Sequence, residues 1–181
     1  LCLVFKAGSE VFVYPHPVLE WHEVVNDRQA GLSFSVMYCP LTGSGNVWGR
    51  EQNGQEMDFE VSGLLYNGNL IAKERKSESF WSQMRQEAVA GPQRGSRPTN
   101  LQVLEMPLGT VGKLFNRFKL LSDKTPFKYE YGNFPCGDYC TNDEKIFYSL
   151  FFDDPRLPRK ERTFGVIVDG KAKVYQRSAF K

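Results

Sequence analysis

Tight-turn pairs recur along this chain so often that only short segments fit between them. They are Ala-Gly at 7–8 and 30–31, Gly-Ser-Gly-Asn at 43–46, Asn-Gly at 53–54 and 67–68, and Asp-Gly at 169–170. Pairs of this kind adopt the positive φ angles that join neighbouring antiparallel strands. The segments between them alternate in polarity or are continuously apolar, as half-buried and fully buried strands are. Strands are expected at Leu1–Lys6, Glu10–Tyr14, Leu32–Cys39, Val47–Glu51, Glu56–Val61, Asn69–Glu74, Leu101–Met106, Lys145–Phe151, Arg162–Val168 and Ala172–Gln176. Helical signals are fewer. Val18–Val25 and Ser79–Arg85 fit one or two turns, and Thr110–Leu121 carries an apolar stripe of Val111, Leu114, Phe115 and Phe118 behind a plausible Thr110 cap. The expected fold is mainly β (a β-rich α+β class): one domain over residues 1–181, with an antiparallel, barrel-like sheet and two or three short helices. Val4–Pro15 and Val166–Gln176 both read as strand, tight turn and strand ending near a tyrosine, so the chain ends are expected as equivalent hairpins in a pseudo-symmetric sheet.

Charge excludes one class of partner. The net charge is +2, and acidic and basic residues interleave over most of the chain, whereas a nucleic-acid surface needs clustered cations. The basic run Arg156–Arg162 is expected as a solvated loop. No stretch approaches the ~18 consecutive apolar residues of a membrane-spanning helix, so no membrane span is expected. The chain opens on L-C-L-V-F without Met, which fits a leader removed from an exported protein. Four cysteines, Cys2, Cys39, Cys136 and Cys140, allow three pairings. In F-P-C-G-D-Y-C the bent loop admits a Cys136–Cys140 disulfide, a metal half-site or two free thiols.

Chemistry-bearing residues gather in a few segments. In S-V-M-Y-C-P-L-T-G-S-G-N a strand stops at Cys39, and Thr42, Gly43 and Ser44 follow with exposed backbone and side-chain donors. In W-H-E-V-V-N-D, His22 stands beside Glu23, Asn26 and Asp27, which are suited to orienting its ring. A Cys39–His22 pair with Asp27 or Glu23 behind it would be a nucleophile, base and orienting group. The same pair would bind a soft metal, copper or zinc, with Met37 or Met57 as a third ligand. Ser62, Trp81 and Gln83 complete the expected polar pocket. Ser62-Gly63 lacks the frame of a nucleophile elbow, and no phosphate-loop, dinucleotide or zinc-protease motif occurs.

W-H-E-V-V-N-D, Y-C-P-L-T-G-S-G, F-E-V-S-G-L-L-Y-N-G-N-L, S-F-W-S-Q and R-L-P-R-K-E-R-T-F-G-V, in this order, resemble the domain-of-unknown-function family 3179, and its Bacteroidetes-type branch in particular. The resemblance implies an exported bacterial protein, often lipoprotein-like, in a periplasmic or cell-surface setting, and it implies no particular reaction. Many members resemble Y-C-P-L-C-G at the loop, where this chain has Thr42. A dithiol cycle needs two sulfurs, so redox work at this loop would require another thiol to approach in the fold. Three readings follow. The first is a module binding a small ligand or metal ion, the second a thiol enzyme using Cys39 with His22, and the third a surface or structural module without chemistry.

Overall fold

The computed structural model describes residues 1–180 except Asn53, leaving aside the side chains of Ile167 and Phe180. The chain runs β1 (Cys2–Ala7), β2 (Glu10–Pro15), α1 (His16–His22), β3 (Val24–Gln29), β4 (Leu32–Cys39), β5 (Ser44–Gly49), β6 (Glu51–Gln52), β7 (Gln55–Glu56), β8 (Phe59–Tyr66) and β9 (Asn69–Glu74). It continues with β10 (Phe80–Ser82), β11 (Glu87–Ala90), β12 (Thr99–Leu101), β13 (Val103–Met106), α2 (Leu108–Leu114), β14 (Lys119–Leu120), β15 (Thr163–Val168) and β16 (Lys171–Gln176). The fold is mainly β and mostly antiparallel, as the turn chemistry predicts. Ala30-Gly31, Asn67-Gly68 and Asp169-Gly170 all take positive φ at both turn positions, the geometry whose twist matches the flanking strands.

Three four-stranded sheets, ordered β13-β1-β2-β14, β12-β5-β4-β3 and β11-β10-β9-β8, carry the core, and none closes into a barrel. The strand β4 is buried along nearly its whole length and divides two apolar clusters. Phe34, Val36 and Tyr38 face Leu3, Phe5, Phe12, Tyr14 and Leu19. Met37 and Cys39 face Trp48, Phe59, Leu70 and Trp81. Successive side chains of a strand point to opposite faces, so this one strand supplies both clusters. The middle sheet is therefore sandwiched between the other two.

Several expectations need correction. The hairpin β1–β2 is buried and extended by β13 and β14, whereas β15–β16 is an exposed two-stranded ribbon. The two ends share a local shape, but not an environment. Lys145–Phe151 is irregular chain with bends at Tyr148 and Phe151 instead of a strand. Ser79–Arg85 is largely β10, because its backbone pairs with β9 and β11. Helix α2 stops at Leu114, since Lys119 and Leu120 pair in parallel with Phe12 and Val13 of β2. Tertiary pairing overrides the helical stripe there, although Phe115 and Phe118 still pack on the cluster around Val13 and Val111. Helix α1 starts on Pro15, which stands in the extended region, with a proline in its first turn, a favoured position because that N–H lacks a partner in any helix.

Candidate functional site

The chemistry-bearing residues lie around the C-terminal end of β4, on three distinct fronts. On the first, Cys39 points into the cluster of Trp48, Phe59 and Trp81 and is 1% exposed. Its thiol donates to the Gly68 carbonyl at 3.6 Å. Gly68 is pressed by the Tyr148 ring, which leaves no room for a Cβ there, and the Tyr148 hydroxyl shares a 3.0 Å hydrogen bond with that of buried Tyr139. A strap over residues 134–152 thus closes this side, pinned again where Asn67 accepts from the Phe151 and Phe152 N–H groups.

Beside Cys39 the turn residues bond to one another. The Asn69 amide donates to Thr42, Ser44 and Gln83 at 3.0, 3.0 and 2.7 Å. Gln83, fully buried, accepts from Ser44 at 2.9 Å and donates to the carbonyls of Met37 and Ser44 at 3.2 and 3.0 Å. Asn69 accepts in turn from the Met84 N–H at 3.2 Å. A buried polar network with its valences filled rigidifies a core. These groups lock the loop to β9 and β10, which leaves little of their hydrogen-bonding capacity for a ligand.

The second front is aromatic. His22 shares a 2.6 Å hydrogen bond with the Tyr131 hydroxyl and packs on Phe127, Tyr129 and Tyr131. Trp21 stacks on Tyr129 and donates to the Asn133 carbonyl at 3.0 Å. Residues 125–133 therefore lie along the outer side of α1. Burial lowers the pKa of His22, so its ring is held neutral near neutral pH.

The structure does not join the expected catalytic group. Cys39 bonds to Gly68 and His22 to Tyr131, with no hydrogen bond between them. Leu19 of α1 belongs to the opposite cluster from Cys39, which places the helix body and the thiol on different sides of β4. The Asp27 carboxylate accepts from the Tyr14 hydroxyl at 2.8 Å and from the Arg28 N–H at 2.7 Å, not from His22. Asn26 reaches β8 instead, donating to the Phe59 carbonyl at 2.7 Å and accepting from its N–H at 3.2 Å. Glu23 takes φ 57° to end α1, and burial raises its carboxyl pKa. Ser62 sits at a bulge in β8 and donates to the Ile71 carbonyl, and Trp81 is a core ring against Trp48 and Phe59. Among the described residues no group of three or more His, Cys, Asp or Glu side chains is arranged to hold a metal ion.

The third front joins residues that the sequence reading did not bring together. Tyr38, one residue before Cys39, points the other way, and its ring lies 4.4 Å from that of His16. His16 is 5% exposed and its Nε2 makes no hydrogen bond, though Glu105 comes within 3.7 Å. Both Glu105 oxygens accept from one nitrogen, Arg162 Nη2, at 2.6 and 2.7 Å. That nitrogen also reaches the Gly43 carbonyl at 3.4 Å, and a Cβ on Gly43 would stand 3.5 Å from the guanidinium. That is ordinary contact, so it is the positive φ of 59° at this turn position rather than lack of space that favours glycine there. Burial pushes His16 down to about 4, helped by Arg162, so the ring is neutral and Glu105 has Arg162 as its ionic partner. Outward from Arg162 opens a cleft of about 790 Å³, lined by Lys160, Arg162, Arg177, Phe164, Asp143 and Glu161 among others. Lys160 donates to the carbonyls of Tyr139 and Asn142 and lies over the Tyr139 ring, which ties the cleft to the strap. The basic run 156–162 is thus more than a solvated loop. The clue in sequence was its density of Lys and Arg, and the partners Glu105 and Gly43 are far away in the chain.

All four cysteines are free. Cys136 and Cys140 lie in consecutive hydrogen-bonded turns, in which the Tyr139 N–H bonds to Cys136 and those of Thr141 and Asn142 bond to Asp138. Burial is the main cause raising the thiol pKa of both. For Cys136, the charges of Cys140, Glu23 and Cys39 act in the same direction.

No curated protein and no solved structure matches this chain. The family described as "Protein of unknown function (DUF3179)" matches residues 2–181. That span takes in the locked turn after β4, the strap and the Arg162 cleft alike, and the chain belongs to this family.

Proposed function

We propose that this chain, acting as one domain in a periplasmic or cell-surface setting, binds a small anionic ligand in the Arg162 cleft. The observation that carries the reading is how Arg162 is held. A single terminal nitrogen satisfies Glu105 and the Gly43 carbonyl, leaving the rest of the guanidinium for another acceptor. A planar, multiply donating cation pre-set by its neighbours recognises carboxylate or phosphate at small entropic cost. Lys160 and Arg177 add positive charge, while Asp143 and Glu161 restrict the ligands accepted. The exported setting rests on the resemblance of the motifs, and fractionation of the native host would test it.

The test is thermal unfolding and titration calorimetry with inorganic phosphate and malonate, using neutral sugars as controls. Binding should raise Tm with ligand concentration, because a ligand that binds only the folded state stabilises it. Arg177→Gln should reduce the rise without loss of fold, since that side chain is on the cleft wall and adds charge beside Arg162. Equal shifts with sugars and anions, or equal shifts in the variant, would remove the reading.

A further inference from the structure

The strap that borders the cleft carries two thiols, and their placement suggests which anions matter. Cys140 is exposed and Cys136 half-buried, four positions apart in adjoining hydrogen-bonded turns of the C-G-D-Y-C loop. Tyr139 between them is 1% exposed. It anchors the loop by stacking on Phe147 at 4.9 Å and by its hydroxyl bond to Tyr148. Lys160 holds the next residues by the carbonyls of Tyr139 and Asn142, and Arg162 follows two positions on. An exposed thiol with a second thiol across one hydrogen-bonded turn, and with Lys160 bonded to the residue before it, is an arrangement in which a dithiol can meet a negatively charged disulfide.

We propose that Cys140 and Cys136 form a dithiol–disulfide couple that reduces a small disulfide bearing carboxylates, bound through Lys160 and Arg162. This rests on the anion-binding reading of the same cleft. In the first step Cys140, its proton released to solvent, attacks one sulfur of the ligand. A Cys140–ligand mixed disulfide forms, the ligand's S–S bond breaks, and the departing thiolate takes up a proton. In the second step Cys136, likewise deprotonated, attacks the Cys140 sulfur, closing the Cys136–Cys140 bond and releasing the second ligand thiol. Two electrons pass from the protein dithiol to the ligand disulfide, and the ligand gains two hydrogens. Attack by a thiolate through a mixed disulfide is the general route of such exchange. Cys39 takes no part, because its sulfur is sealed beneath the strap. Cys2 is buried in the cluster with Val4, Val13 and Val111.

The test uses the full reduced chain, with glutathione disulfide as the anionic probe and 2-hydroxyethyl disulfide as the neutral one. Intact mass and peptide mapping should show loss of two hydrogens with Cys136 linked to Cys140. Cys136→Ser should trap one glutathione on Cys140, and Cys140→Ser should trap none. Lys160→Ala should slow the reaction with glutathione disulfide by about tenfold, the lower end of what local charge does to encounter, and leave the neutral probe unchanged. Because Lys160 also braces the strap, Arg177→Gln serves as a second charge variant with the same expected direction. If the wild-type chain forms neither the internal disulfide nor the adduct while phosphate still binds, the thiol inference falls and the anion-binding reading stands. If the adduct forms at equal rates with both probes and phosphate does not bind, both the charge-selected substrate and the anion-binding reading fall.

Discussion

Replacing His16 by Phe should remove most of one step from the acid stability curve. The ring of His16 is buried with an unbonded Nε2 and is neutral in the fold, its pKa lowered from 6.5 to about 4 chiefly by burial. The unfolded chain takes up a proton near 6.5, but the folded one does not until about 4. The unfolded state therefore binds more protons between those values, and stability falls as pH drops through that window and levels off below it. Each pKa unit corresponds to about 1.36 kcal/mol, so the loss from pH 7 to pH 4 comes to about 3 kcal/mol, with about 2 kcal/mol gone by pH 5. Urea unfolding of wild type and His16→Phe across this range isolates the step, because other groups such as His22 cancel in the difference. The wild type's advantage over the variant should shrink by that amount on acidification. A difference flat with pH would mean that Glu105, 3.7 Å away, stabilises the imidazolium as well as water does, and the account of His16 as a ring held neutral by burial would be wrong.

Gln83→Leu should cost about 2–4 kcal/mol in chemical denaturation, since it strands the donors of Asn69 and Ser44 and two backbone carbonyls in the interior. Trp81→Ala should cost about 3–5 kcal/mol by the same measurement, because the ring is fully buried between Trp48 and Phe59. Alkylation of the native chain followed by peptide mapping should label Cys140 first and Cys136 more slowly, with Cys39 and Cys2 labelled only on unfolding. Early labelling of Cys39 would contradict its burial. The rate at Cys140 should keep rising as pH passes 9.0, because burial and Glu20 hold its thiol pKa above that ordinary value against the pull of Lys160 and Arg162. A plateau near pH 7 would refute that balance.

The turn pairs and apolar alternation alone determined the mainly β fold, most strand positions and the hairpins at Ala30-Gly31, Asn67-Gly68 and Asp169-Gly170, because those signals are local: a two-residue turn and its flanking pleat are set by nearby φ angles and side chains. The motif residues Thr42, Ser44 and Gln83 do converge as the sequence suggested, yet with Asn69 they bond to each other, and only side-chain geometry reveals that their valences are filled. Only the tertiary structure decided which way the end of β4 faces. Cys39 and Tyr38 are neighbours in sequence but look into opposite layers, so the thiol goes under Tyr148 while the tyrosine goes to His16. The union of Arg162 with Glu105 and Gly43 spans 57 and 119 positions of chain. Such a contact leaves no periodicity to read, since its geometry is set by how whole sheets and the strap pack rather than by local conformational preference.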